Sequence, residues 1–266
     1  KTAFFALTEP NVGSDASNVE TRARRDGDGW RLNGRKLYIS NGTGADLGVV
    51  FARSGDGERA EVSAFVVEAG TAGFSTREVR SMGMNSCPLG ELLFEDVLLP
   101  ADHLIGAEGE AFAIAKHYLN VGRCFVSFTC LGLSIAAYEA ALRYAGAREQ
   151  FGRKIGGFQL VQQMIADMLT GVETSRLLAC RAADALDRGA PDRGRACSMA
   201  KRHNSDTALR VCETALQVHG GAGYTRDFPV ERYYRDVRHL TIAEGTNQLQ
   251  ALLLAQGALG ISALRG

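Results

Sequence analysis

A single carboxylate, Glu244, stands in the stretch Ala243-Glu244-Gly245-Thr246-Asn247, between a polar run and an apolar tail. Gly245 removes side-chain bulk beside it, so a ligand can come close to the backbone. Thr246 and Asn247 offer N-cap oxygens for a helix whose apolar positions begin at once with Leu249, Leu252 and Leu253. A carboxylate at such a junction has a free backbone N–H beside it. That combination suits chemistry next to a carbonyl: the amide holds the oxygen while the carboxylate takes the neighbouring proton. The alternative is an ordinary solvated Glu ahead of a helix, where the dipole favours acidic side chains.

Other residues offer binding chemistry. Leu7-Thr8-Glu9-Pro10-Asn11-Val12-Gly13-Ser14-Asp15 is a strand end running into a turn, with hydroxyls and amides that could hold a polar ring edge or a phosphate. A plain loop closed by an Asx-type turn explains it equally. In Leu37-Tyr38-Ile39-Ser40, an aromatic and a hydroxyl two residues apart share one face of a strand and could meet a flat cofactor. Arg148 to Arg153 lies at a break between helices, where a guanidinium could bind a pyrophosphate or simply be solvated. Gln217-Val218-His219-Gly220-Gly221-Ala222-Gly223-Tyr224 ends a helix in glycines that form either an anion site or a C-cap, with His219 read as structural. Neither a GxGxxG after a strand nor a P-loop is present. The six cysteines form no CxxC pair and no metal-like spacing with the five histidines, so no metal is expected and a reduced, intracellular setting is the simplest reading.

Two kinds of pattern must position these groups. From Phe4 to about Pro100, short apolar runs alternate with Gly/Asp turns such as Asp26-Gly27-Asp28-Gly29 and Ser54-Gly55-Asp56-Gly57, and Asn33-Gly34 reads as a hairpin turn. Residues 1–107 are therefore expected to be a β-domain. From Glu108 the period becomes helical, as in Val161, Met164, Ile165, Met168, Leu169 and Val172. Four long helices are expected, at about 109–146, 158–188, 192–219 and 246–263, punctuated by Gly146, Gly189 and Gly220. The fold class is α+β: an antiparallel β-barrel-like domain, then an antiparallel four-helix bundle over 108–266.

Thirty basic and thirty acidic residues cancel, which argues against a nucleic-acid partner held by phosphate neutralisation. No apolar run is read as long enough to span a bilayer; Cys124 to Ala137, interrupted by Ser127, Thr129, Gly132 and Ser134, reads as a buried helix. The first residue is Lys and no secretory signal is seen, so a fragment of a longer chain is expected.

Taken together, TEPNVGSD, KLYISNG, GELLFEDVLLP, REQFGRKIGGFQ, QVHGGAGY and AEGTNQLQ occur in the order, and at about the spacing, of the acyl-CoA dehydrogenase family. The resemblance runs from about Phe4 to Gln256 and covers that family's middle and C-terminal domains, without its N-terminal helical domain. It implies FAD between the β-domain and the helical domain. Phe5 and Leu7 (through backbone), Thr8 and Ser14 would contact the flavin and its pyrophosphate. Tyr38 stands where the family usually has Trp, and Ser40 where it usually has Thr near the flavin N5. Arg148, Phe151, Gln159, Gln217 and Gly221 match residues that reach the FAD of a neighbouring subunit, which implies a homodimer or homotetramer. Thr246 and Gln248 match residues holding the adenosine-diphosphate part.

For the thioester, Glu244 matches the family's catalytic base and Gly245 a substrate contact. Ser14, Asn120 and Arg123 match further substrate contacts, with Asn120 where Asp is commoner. Some members carry their base immediately before the Arg; here that position is Gly122. The activity implied is oxidation of an acyl-CoA, or an acyl-carrier-protein thioester, to the trans-2-enoyl product. Electrons would pass to electron-transfer flavoprotein or a similar acceptor, in the cytoplasm or, in a eukaryote, the mitochondrial matrix. The alternatives are an oxygen-using acyl-CoA oxidase of the same fold and a catalytically silent relative that binds a partner.

Overall fold

A computed structural model describes residues 1–55 and 61–264, so part of the expected turn at Ser54 to Gly57 lies outside the described residues. The chain divides into two compact units, Lys1–His117 and Tyr118–Gly266. The first unit holds β1 (Ala3–Ala6), β2 (Arg22–Asp26), β3 (Gly29–Ser40), β4 (Leu47–Ser54), β5 (Glu61–Glu68), β6 (Phe74–Val79), β7 (Leu89–Leu99) and β8 (Leu104–Ile105). They form one sheet in the order β6-β7-β3-β2-β4-β5-β8, with β1 parallel to β4. Alternation explains its two cores. Val50, Ala52, Phe65 and Val67 turn to one face with Trp30, Leu32 and Phe94, whereas Phe51, Val62 and Ala64 turn to the other and meet Ala111 and Ala115 of the first helix.

Asn33-Gly34 is not a hairpin. It lies inside the continuous strand β3, where the pairing with β7 shifts between Leu32 and Gly34. Gly34 has φ 150°, and a Cβ there would come within 2.7 Å of the Thr21 Cα, so a bulge with close backbone approach, rather than a turn, requires the glycine. The hairpin falls one step earlier, where Asp26 pairs with Gly29 around Gly27 at φ 57°. A second register shift, between Lys36 and Ile39, puts Tyr38 at φ 59°. The strand around Tyr38 is thus kinked and not regular.

The helices are α1 (Ala111–Ala147), α2 (Gln159–Asp187), α3 (Arg193–His219), α4 (Val230–Arg238) and α5 (Asn247–Leu259), with a small β9 (Glu149–Gln150) and β10 (Arg153–Lys154) ribbon between the first two. The helical core of the second unit joins Ala137, Ala140, Ala141 and Ala145 of α1 to Met168 of α2, Ala208, Val211 and Ala215 of α3 and Val230 and Val237 of α4. Helix α4 was not expected; its sequence is dominated by charge, and it is anchored by two valines. Gly146 does not end α1, whereas Gly189, at φ 61°, follows α2 and Gly220, at φ 58°, ends α3. Gly260, in the left-handed conformation, stops α5 at Leu259, short of residue 263.

The reading that no stretch could cross a bilayer is corrected by α1. Within it, an 18-residue window has mean hydropathy 1.5, long and apolar enough by length and composition. The hydroxyls of Ser127, Thr129 and Ser134 are spent on carbonyls three or four residues back in the same helix. Ala137, Ala140, Ala141 and Ala145 of α1 lie in the helical core, whereas Phe125 on the same helix is 74% exposed, so α1 is buried on one side only.

Candidate active site

Glu244 occupies a left-handed turn, φ 56°, followed by Gly245 at φ 85°. A non-glycine residue is held in that region only where its surroundings over-determine it. Here three side chains do so. The Glu244 carbonyl accepts from Arg123 Nε at 3.2 Å and Gln250 Nε2 at 3.1 Å. The Gly245 carbonyl accepts from Gln250 Nε2 at 3.1 Å and Lys201 Nζ at 2.9 Å. Thr246 then caps α5, its Oγ1 accepting from the Leu249 amide at 3.2 Å. Asn247 ties the start of α5 to α3 through Ser205, Asp206 and Lys201. The face that α5 buries consists of Asn247 and Gln250, while Leu252 is partly exposed, so packing here is polar where leucines were expected to lead.

The carboxylate of Glu244 is half-buried and lies against α1 at Gly122, where a Cβ would sit 2.8 Å from Oε2. It makes no hydrogen bond or ion pair among the described residues, and neither does its backbone N–H. Burial pushes its pKa above the ordinary carboxylate range, against the pull of the Arg123 and Lys201 cations. A carboxylate with a raised pKa and unspent lone pairs, beside a free amide, is equipped to take a proton next to a carbonyl oxygen. One turn away on α1, Arg123 donates to Asn120 Oδ1 at 3.2 Å. Asn120, Arg123, Glu244 and Gly245 therefore gather in one place.

In the first unit, the Leu7–Asp15 loop is fastened to β3: Leu37 N donates to the Thr8 carbonyl at 3.0 Å, and Lys36 Nζ to the Leu7 carbonyl at 3.1 Å. This sets Thr8 beside the kink that carries Tyr38, which is 59% exposed, with Ser40 also exposed. Ser14 is exposed and a Cβ on Gly13 would meet nothing within 4 Å, so the outer loop edge is open. An accessible ring flanked by hydroxyls and open backbone fits a flat, polar-edged ring such as a flavin. The Phe5 ring instead packs on Phe51, with centroids 4.8 Å apart, leaving its backbone for any ligand contact.

Arg148, Phe151, Gln159, Gln217, Gly221 and Gln248 all lie on the surface of the second unit. Phe151 is 94% exposed, at φ 52° on the tip of the β9–β10 ribbon. His219 is structural: buried, it hydrogen-bonds the Ala215 carbonyl and stacks on Tyr144. Sequence reasoning missed Lys201 and Gln250, both fully buried around Glu244. Among the described residues, no cluster of His, Cys, Asp or Glu could hold a metal.

A sheet unit is followed by a helical unit, with a clamped and unpaired carboxylate ahead of the last helix. The description "Acyl-CoA dehydrogenase, middle domain" matches residues 4–97, and "Acyl-CoA dehydrogenase, C-terminal domain" matches residues 109–259. The chain belongs to the acyl-CoA dehydrogenase family. An acyl-CoA dehydrogenase of Bacillus subtilis is 42% identical over 258 residues, which are 96% of this chain and 68% of that protein. The butyryl-CoA dehydrogenase structure from Megasphaera elsdenii superposes with a TM-score of 0.93 at 38% identity, over 97% of this chain and 68% of that one. A chain in the structure described as the electron transferring flavoprotein of Acidaminococcus fermentans has a TM-score of 0.94 at 42% identity, again over 97% and 68%.

Proposed function

We propose that this chain carries the α,β-dehydrogenation of an acyl thioester, acyl-CoA to trans-2-enoyl-CoA, with Glu244 as the base that takes the α-proton. The observation that carries it is the Glu244 carboxylate: raised in pKa by burial, free of hydrogen bonds, and held at a strained turn by Arg123, Gln250 and Lys201. FAD, when bound, supplies the acceptor for the hydride that leaves Cβ. The unspent Glu244 N–H is placed to donate to the thioester oxygen as enolate character develops, and burial strengthens that bond. Asn120 and Arg123, gathered beside Glu244, would contact the substrate, as would Gly245.

Thr8, Ser14, Tyr38, Ser40 and the backbone of Phe5 and Leu7 would hold the flavin end, and Thr246 and Gln248 the adenosine-diphosphate end. The exposure of Arg148, Phe151, Gln159, Gln217 and Gly221 supports their reaching the cofactor of a second copy in a homodimer or homotetramer. The same reading assigns residues 1–107 and 108–266 as the two domains, with a barrel-like curl of the sheet and a bundle of α1, α2, α3 and α5. An acyl-CoA or acyl-carrier-protein substrate, an electron-transfer flavoprotein as acceptor and a cytoplasmic setting complete it. Among these, the flavoprotein draws support from the Acidaminococcus fermentans neighbour.

The test is Glu244→Gln. FAD uptake, read from the flavin absorbance, should be unchanged, while anaerobic flavin reduction by butyryl-CoA should slow by about two decades or more, as for loss of a general base. Reduction at the wild-type rate would remove Glu244 from the role. Hydrogen peroxide formed in step with substrate consumption would favour the oxidase alternative, and a chain that takes up no FAD the silent one.

A further inference from the structure

Beside Glu244 lies a second charged group that the reaction itself does not use. Lys201, on α3, is fully buried. Its ammonium touches no carboxylate: Nζ donates to the Gly245 carbonyl at 2.9 Å and to Asn247 Oδ1 at 2.8 Å. A buried cation satisfied only by neutral acceptors keeps its full field. We propose that Lys201 is a positioning residue for Glu244, clamping the left-handed Glu244–Gly245 turn through the Gly245 carbonyl and favouring the ionised carboxylate by its charge.

This inference rests on the reading of Glu244 as the base. Two opposing demands meet at the carboxylate. A base in a water-poor site gains proton affinity from burial, but with no cation nearby it would stay protonated and could take no proton. Arg123 supplies one cation; its Nε donates to the Glu244 carbonyl and its Nη1 to Asn120 Oδ1. Lys201 supplies the second, bonded to the Gly245 carbonyl of the same turn. The charged and titratable groups around Lys201 are Cys130 on α1, Arg123 on α1, Asp206 on α3 and Glu244 itself. Asp206 is engaged by Asn247 Nδ2 at 2.7 Å, and burial keeps the Cys130 thiol up at about 12, hence neutral. Asp206 and Glu244 are thus the two carboxylates within the field of Lys201, and Glu244 is the one whose turn Lys201 also clamps, through the Gly245 carbonyl.

The test follows the Glu244 carboxyl directly, without substrate or cofactor. With glutamate labelled at the carboxyl carbon, the Glu244 resonance is assigned by its loss in Glu244→Gln and titrated in each variant. In Lys201→Met the Glu244 dissociation constant should fall about tenfold, raising its pKa, because a cation favouring the ionised form is gone. Lys201→Gln, which can still donate to Gly245, should show the same rise, and Lys201→Arg should restore the wild-type value. Should Lys201→Met not fold, the Gln variant and the wild type carry the test. In the wild type the resonance should move a second time near pH 8, where burial has brought the lysine down to about 8. An unmoved Glu244 titration in a folded charge-free variant, or a flat wild-type signal through that range, overturns the proposal.

Separating the two readings is direct. An unmoved titration with Glu244→Gln inactive removes Lys201 and keeps the base. A shifted titration with Glu244→Gln active removes the base and keeps the coupling.

Discussion

Each unit of this chain sets one glutamate near one buried lysine, and the two arrangements have opposite chemistry. In the sheet unit, Glu9 and Lys36 meet directly at 2.7 Å, with side chains 1% and 0% exposed. The Glu9 carboxylate also accepts the backbone N–H groups of Glu20 and Thr21, and Lys36 also bonds the Leu7 carbonyl. Burial pushes Glu9 up, but Lys36 and these bonds outweigh it and hold the carboxyl below its ordinary range. In the helical unit, Lys201 spends its donors on neutral oxygens and the Glu244 carboxylate accepts nothing, so burial wins and the carboxyl is pushed up. Direct contact with a cation together with saturated lone pairs, set against burial alone, separates a structural carboxylate from one fit to move a proton.

The largest test of this contrast is one substitution at both places. Glu9→Ala strands the Lys36 ammonium in the sheet core and should cost about 3–5 kcal/mol in urea unfolding, the range for breaking a buried pair. Glu244→Ala leaves Lys201 its partners and should cost well below that. Replacing both members, Glu9→Gln with Lys36→Met, should recover most of the loss, since no charge is left unpaired. Equal costs at the two glutamates would dissolve the distinction.

What the sequence made legible follows the same line. Apolar periodicity marked α1, α2 and α3, and an N-cap threonine marked the start of α5. Polar burial was not legible: on α3, Ser198, Lys201, Asn204 and Ser205 recur at three- and four-residue steps and carry no apolar signal, yet all are buried. The signal was their shared register with Ala200 and Ala208, which a hydrophobic count ignores. Lys36 was hidden likewise, inside a strand whose alternation is broken by two bulges that residue type alone does not place. Only Gly34 hinted at one of them, and the hairpin preference of Asn-Gly competed for it. Glu244 stood out because its neighbours Gly245 and Thr246 have backbone roles that can be read locally.

A smaller effect should come from Gly122→Ala. Alanine in a helix interior is worth up to about 1 kcal/mol over glycine, so α1 should tolerate or gain from the change. The added Cβ, however, would stand 2.8 Å from Glu244 Oε2 and must displace the carboxylate. Flavin reduction by butyryl-CoA should fall about tenfold, in the range for a misplaced catalytic group, with no loss of stability. Activity and stability falling together would show a packing glycine with no bearing on the base.

The smallest and most diagnostic effect is in the pH dependence of stability, where the two glutamates differ in sign. Glu9 is lowered from 4.5 in the folded state, so its contribution is present above that value and is lost as pH falls through the folded pKa. Glu244 is raised from 4.5, so between that value and its folded pKa the folded chain binds more protons than the unfolded one, and stability declines as pH rises. The two lysines act at the other end. Both are brought by burial to about 8 from 10.5, so over that interval the unfolded chain binds more protons and stability rises with pH. Urea midpoints across the acid range, taken for wild type against Glu9→Gln and against Glu244→Gln, isolate each group. The Glu9 difference should grow with pH in favour of wild type. The Glu244 difference should turn against wild type, and by less than about 1.4 kcal/mol, the equivalent of a tenfold change in proton affinity, because the carboxylate is half open to water. Two differences of the same sign would mean that Glu244 is held like Glu9, with its lone pairs engaged and no capacity left for a proton.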